Sequence, residues 1–133
     1  MSKWYSNSLK IKKQYKNIDV LFIFDEKYYL IIEDKTFTSE KKDQIATYIK
    51  ALELDNIPSE NIRALYFKIG DEALHELNKK SFPYFIRKDV INLFQNYKGN
   101  NLILNDYNEY IIEIQALQDE FIEKNPNEYS WEN

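Results

Sequence analysis

The sequence contains no cysteine and only one histidine, His75. Disulfides and thiolate metal sites are therefore excluded, and so is a zinc site built from several histidines. Any bound metal must be held mainly by oxygen, which favours Mg²⁺, Mn²⁺ or Ca²⁺. No apolar run approaches the ~20 residues that a membrane-spanning helix needs, and residues 1–10 lack the apolar stretch of a signal peptide. We therefore expect a cytoplasmic protein with no membrane partner.

Glycine and proline are also scarce, with two and three residues. The chain has 133 residues, of which 44% are hydrophobic and 16% aromatic. This length and composition fit one domain with one hydrophobic core. We predict a single domain over residues 1–133, with a core over 9–69, a helical part over 71–125 and a tail over 126–133.

Charge is distributed unevenly along the chain. Residues 1–18 carry five lysines and no acid, whereas residues 106–133 carry eight acids and one lysine. The basic segment is suited to contact an anionic polymer, although a solvated lysine-rich strand fits it equally well. We read the acidic segment as a solvated helix. The lysines that lie on or beside the first predicted strand are Lys10, Lys12, Lys13 and Lys16.

Apolar patterning predicts an α/β fold. Residues 18–24 and 28–34 are two apolar runs around a short polar break, which is typical of a hairpin. Further strands are predicted over residues 9–16 and 62–69. Between the strands at 28–34 and 62–69, helical spacing over 39–54 predicts a helix capped by Ser39. This helix carries the chain across a small mixed sheet.

Two further helices are predicted after the sheet. The first runs from Arg87, expected at a solvated helix end, to a stop at Gly99. The second is capped by Asn105 or Asp106 and ends before Pro126. The predicted fold is thus a small mixed sheet with a crossover helix and additional C-terminal helices.

The predicted hairpin brings two acids together. If the chain turns near residue 26, Asp19 lies opposite Glu33. Lys35 faces the same side of the strand as Glu33, and Asp34 faces the other side. Two close carboxylates repel each other unless a cation lies between them, and Mg²⁺ accepts one or two carboxylates together with water and phosphate oxygens. Lys35 is then positioned to orient or deprotonate a water, or to stabilise charge on a phosphate.

These residues resemble a known family. The pattern Asp19, then Glu33-x-Lys35 at a hairpin, followed by a helix, resembles the PD-(D/E)XK nuclease superfamily. The following helix carries Gln44 and Tyr48, which are i, i+4 partners on one face. Their spacing is similar to the Q-x-x-x-Y motif of the RecB-like subgroup.

The resemblance implies a restriction-endonuclease-like core and a metal-dependent nuclease, with DNA as the expected substrate. It implies that Asp19, Glu33 and the backbone carbonyl of Asp34 hold Mg²⁺ or Mn²⁺, and that Lys35 is the third catalytic residue. Gln44 and Tyr48 would support the site. The four lysines named above would attract the nucleic-acid backbone.

One departure from the family pattern favours a second interpretation. Family members usually place a helix with an extra acid before the first strand, whereas here residues 1–18 contain no acid. The sequence therefore reads as an N-terminally shortened member. The alternative function is a nuclease-fold binding or regulatory module without catalysis, acting through a protein partner in phage defence or counter-defence. A homodimer that completes the site is a third interpretation.

Overall fold

The structure is a computed structural model that describes residues 6–35, 43–70 and 82–125. These residues fall into two compact units. The first contains most of the sheet and the crossover helix, and the second contains two further helices. The predicted tail, residues 126–133, and residues 71–81 of the predicted helical part lie outside the described residues. No described helix combines the length and apolarity needed to cross a bilayer.

Five strands form one mixed sheet in chain order. The first three pair antiparallel as a meander, and the fourth pairs parallel with the third. The fifth strand follows at the edge. This arrangement confirms the predicted α/β class with a mixed sheet. The strands are β1 (Leu9–Tyr15), β2 (Ile18–Phe24), β3 (Tyr28–Asp34), β4 (Ile62–Lys68) and β5 (Tyr84–Ile86).

Left-handed turn residues join the strands of the meander. Lys16 and Asn17 have φ of 52° and 66°, and Asp25 and Glu26 have φ of 52° and 55°. Paired left-handed residues match the twist of antiparallel strands. The second turn is further held by Asp25, whose carboxylate accepts the backbone N–H of Ser8 at 2.9 Å. Both hairpins therefore have a fixed register.

The crossover helix α1 (Gln44–Glu53) covers the sheet. Its buried residues Ile45, Tyr48 and Leu52 follow helical spacing and join the sheet residues in one core cluster. The predicted cap Ser39 lies outside the described residues, and Asp43 immediately precedes the helix. Because β3 and β4 are parallel, the chain must cross back over the sheet between them, and α1 makes this crossing.

Two leucines of this region make a matched test of the core. Leu52 is fully buried, whereas Leu54 is 85% exposed. We expect Leu52→Ala to lower the free energy of unfolding by about 2–5 kcal/mol, because it removes buried methyl groups and leaves a cavity. Leu54→Ala is expected to change it by less than about 0.5 kcal/mol. Urea unfolding of both variants measures the difference, and equal losses would contradict the assigned core.

The second unit contains α2 (Arg87–Phe94) and α3 (Leu102–Lys124). The predicted start of the last helix was wrong: Asn101 caps it, with its side chain accepting the N–H of Leu104 at 3.1 Å. Helix α2 ends at Phe94, before the predicted stop at Gly99. Arg87 is buried rather than solvated, and its Nε donates to Gln115 Oε1 at 3.0 Å.

Candidate active site

The β2–β3 hairpin brings Asp19 to the end of β3. Val20 pairs with Ile32, which is the register predicted from the sequence. Continuing that register by one residue sets Asp19 opposite Glu33, with both side chains on one face of the sheet. The backbone N–H of Asp34 donates to Asp19 Oδ2 at 3.0 Å. Asp19 is therefore bound directly to the strand that carries the other candidate residues.

Glu33 and Lys35 lie on the buried face of the sheet, whereas Asp34 between them is exposed. Their relative exposures are only 3% and 5%. Lys35 Nζ donates to Glu33 Oε1 at 2.9 Å. The backbone N–H of Lys35 donates to the Phe67 carbonyl at 2.8 Å, which fixes this residue to β4. The sheet thus carries a buried ion pair at the point where β3 ends.

Helix α1 adds a polar partner to this pair. Gln44, its first residue, accepts a hydrogen bond from Lys35 Nζ through Oε1 at 2.9 Å. The amide nitrogen of Gln44 donates to the Tyr48 hydroxyl at 2.7 Å. Each end of the Gln44 amide is thereby engaged, which fixes its orientation. Asp19, Glu33 and Lys35 together with this helix pair form one cluster, which we call the carboxylate–lysine cluster.

Burial dominates the electrostatics of Glu33. Removal from water raises its pKa, and the nearby Asp19 charge raises it further, against the opposing effects of Lys35 and Tyr48. One carboxylate oxygen of Glu33, Oε1, accepts the hydrogen bond from Lys35, which leaves Oε2 to be accounted for. That oxygen is buried and has no hydrogen-bond partner among the described residues. Burial also raises the pKa of Tyr48 above its ordinary value.

The cluster fits a small divalent cation. A buried carboxylate oxygen without a partner lowers the stability of the folded protein unless a cation or a hydrogen-bond donor binds it. Asp19 supplies a second carboxylate on the same face. Within the described ranges, no group of three or more acidic or histidine side chains forms a larger candidate metal site. A donor set of two carboxylates suits Mg²⁺ or Mn²⁺, which keep several waters.

The lysines predicted to contact nucleic acid lie on or beside the exposed strand β1. Lys10 pairs with Glu26 at 2.9 Å, and Lys16 forms an ion pair with Asp55. Lys12 lies over the Tyr15 ring, with its Nζ 4.2 Å from the centroid. Two of the four predicted contacts are thus paired with acids at the surface, and such exposed pairs contribute little and dissociate readily.

Sequence reasoning missed one residue of this site. Gln14 on β1 donates from Nε2 to Asp19 Oδ1 at 3.3 Å. Its neighbours Lys13 and Tyr15 pair with Val20 and Ile18, so position 14 lies opposite Asp19. The β1–β2 register, once predicted around a turn at Lys16 and Asn17, would have revealed this proximity. The residue type alone gave no signal.

Comparison with known proteins identifies a family for this chain. A family model described as the PD-(D/E)XK nuclease superfamily matches residues 8–132. No curated protein and no solved structure gives a significant match. The matched range covers most of both units and every residue of the carboxylate–lysine cluster.

Proposed function

Because the chain belongs to the PD-(D/E)XK nuclease superfamily, we propose that it is a metal-dependent nuclease that hydrolyses DNA phosphodiester bonds. The observation that carries this proposal is the buried Glu33 Oε2, which has no hydrogen-bond partner among the described residues and lies on the same sheet face as Asp19. Lys35 lies beside it, held between Glu33 and Gln44. Two carboxylates that can hold a divalent cation and an ammonium beside them are residue types that can support phosphodiester hydrolysis.

Asp19 and Glu33, with the backbone carbonyl of Asp34, would hold Mg²⁺ or Mn²⁺. A divalent cation bound there would polarise the scissile phosphate and make a neighbouring water more acidic. Lys35 carries its positive charge on the same face, so it can stabilise the negative charge that develops on the phosphate. If the chain belongs to the RecB-like subgroup, Gln44 and Tyr48 are its Q-x-x-x-Y pair. They keep the Lys35 ammonium in place through the hydrogen bonds described above.

Lysines outside the cluster would attract the substrate. Lys10, Lys12, Lys13 and Lys16 concentrate positive charge along β1, and a phosphate backbone competes well with single surface carboxylates for such lysines. Binding to DNA would then release Glu26 and Asp55 from their exposed pairs with Lys10 and Lys16. Affinity for DNA should accordingly fall as salt rises.

The proposal predicts metal-dependent cleavage that requires Asp19. Purified protein should cut DNA in Mg²⁺ or Mn²⁺ but not in EDTA, and Asp19→Asn should lower the rate by about 10³-fold because one charged ligand is lost. The measurement compares plasmid, single-stranded DNA and RNA on gels.

Asp106 offers the control for this experiment. It is an exposed residue of α3, so Asp106→Asn should cut like the wild type. If folded wild-type protein cuts none of the three nucleic acids with either metal, catalysis is absent. Recovery of a specific protein partner by such a protein would support the binding-module interpretation instead.

A further inference from the structure

Gln14 belongs to a row of side chains that crosses the sheet. The flanking pairs Lys13–Val20 and Tyr15–Ile18 set it opposite Asp19. The β2–β3 register, continued by one residue from Val20–Ile32, sets Asp19 opposite Glu33, which pairs with Tyr66 of β4. Residues opposite one another on neighbouring strands share a face. The hydrogen bond from Gln14 to Asp19 and the β2–β3 register therefore bring together one polar side chain each from β1, β2 and β3.

Hydrogen bonds fix both oxygens of Asp19. Oδ1 accepts the Gln14 amide at 3.3 Å, and Oδ2 accepts the Asp34 N–H at 3.0 Å. The carboxylate of Asp19 is thus held from the strand on either side. With only the Asp34 contact, the side chain would remain able to rotate about that single hydrogen bond.

The backbone of Gln14 is unusual. Its φ of 51° lies in the left-handed region, which non-glycine residues seldom occupy. The other described residues with positive φ lie in the two hairpin turns or in the turns that flank α1, so Gln14 is the one within a strand. Glycine would adopt this conformation without strain. Strain of this kind persists where the surrounding structure, or a function, requires the side chain.

The charge of the residue is equally informative. Lys12, Lys13 and Lys16 surround position 14, so a lysine there would match its neighbours. A lysine would form an ion pair with Asp19 and compete with a cation for it. The neutral amide of glutamine orients the carboxylate and leaves its negative charge available.

From these contacts, we propose that Gln14 is a positioning residue that holds Asp19 in the orientation needed to bind a divalent cation. This role rests on the proposed function, because orienting Asp19 matters only if Asp19 binds a cation. The orientation of Asp19 itself can be measured without metal or substrate.

The first test is made on the metal-free protein. Three-bond NMR couplings should report one χ1 rotamer for Asp19 in the wild type and averaged rotamers in Gln14→Gly. Since glycine suits the backbone conformation at this position, the variant should fold with an unchanged or higher thermal midpoint. Asn17→Gly is the matched control, because Asn17 has a φ of 66° in the adjacent turn. It should leave the Asp19 rotamer unchanged. A single Asp19 rotamer in Gln14→Gly would overturn the proposal.

The second test measures Mn²⁺ affinity by calorimetry. We expect Gln14→Gly to weaken binding by about tenfold, as loss of a residue that orients a metal ligand commonly does. Gln14→Lys should keep Asp19 in one rotamer and still weaken binding, because the added charge neutralises the carboxylate. Unchanged affinity in both variants would overturn the role. A wild type that binds no Mn²⁺ would refute the metal-dependent proposed function, whereas the rotamer result would still decide whether Gln14 orients Asp19.

Discussion

Lys35→Met is expected to slow DNA cleavage by about 10³-fold and to lower the free energy of unfolding by about 3–5 kcal/mol. The large effect on stability follows from burial. The side chains of Lys35 and Glu33 are only 6% and 4% exposed, and their charged atoms are 2.9 Å apart. Methionine leaves Glu33 as a buried carboxylate without its cation, which costs far more than an exposed pair would. Urea unfolding measures this loss.

Activity and stability should separate in the double variant. Replacing Glu33 as well, in Glu33→Gln with Lys35→Met, removes the unpaired charge and should recover most of the lost stability. It should not recover cleavage, which we expect to stay about 10³-fold below wild type. Lys50→Met, at an exposed position of α1, serves as the control and should change neither quantity. Wild-type cleavage by Lys35→Met would refute the role of Lys35.

Glu33→Gln is expected to abolish the stabilisation of the protein by Mn²⁺. A cation that binds only the folded state at a hundred times its Kd adds about 2.7 kcal/mol to the free energy of unfolding. The amide of glutamine carries no charge and therefore binds a divalent cation weakly. Thermal unfolding with and without Mn²⁺ should therefore show an upward shift for the wild type and none for Glu33→Gln. The exposed residue Glu60 gives the control, because Glu60→Gln should retain the full shift.

The pH dependence of the same experiment has a definite sign. Burial raises the pKa of Glu33 above its ordinary value. The metal-free folded protein therefore binds this proton more tightly than the unfolded chain does. The stability of the metal-free wild type relative to Glu33→Gln should rise as the pH falls from the raised pKa to the ordinary value, and level off below it. Because protons compete with the cation, the Mn²⁺ shift should instead grow with increasing pH. If the difference in stability between the two metal-free proteins did not change with pH, the raised pKa of Glu33 would be contradicted.

Local patterns explain why part of the site could be predicted from the sequence. Asp19 and Glu33 meet because one short turn sets the register of a hairpin, and every position in the hairpin follows from that register. Gln44 and Tyr48 meet because residues four apart share a helix face. Each of these inferences needs only one element or one turn.

Other features depend on contacts that no local pattern encodes. Arg87 begins a helix, where a charged residue is usually solvated, yet it is buried. Its guanidinium donates hydrogen bonds to Gln115 and Gln118 of α3. Gln14 has a left-handed backbone inside a strand, which neither its propensity nor its neighbours indicate. The start of α3 was misplaced because Asn101, Asn105 and Asp106 are all acceptable caps. Only the packed structure selects among them.

The mixed sheet also bears on how the site assembles as the chain folds. Asp19 and Glu33 lie in a hairpin that closes over a short loop, whereas the pairing of β3 with β4 must wait for a crossover of about thirty residues. Local pairings generally form before distant ones, because closing a long loop costs more chain entropy. We expect the two acids to meet early, in a solvated hairpin, and Lys35 to be buried against Gln44 only when α1 docks. The late step in folding would then be the one that removes Glu33 from water.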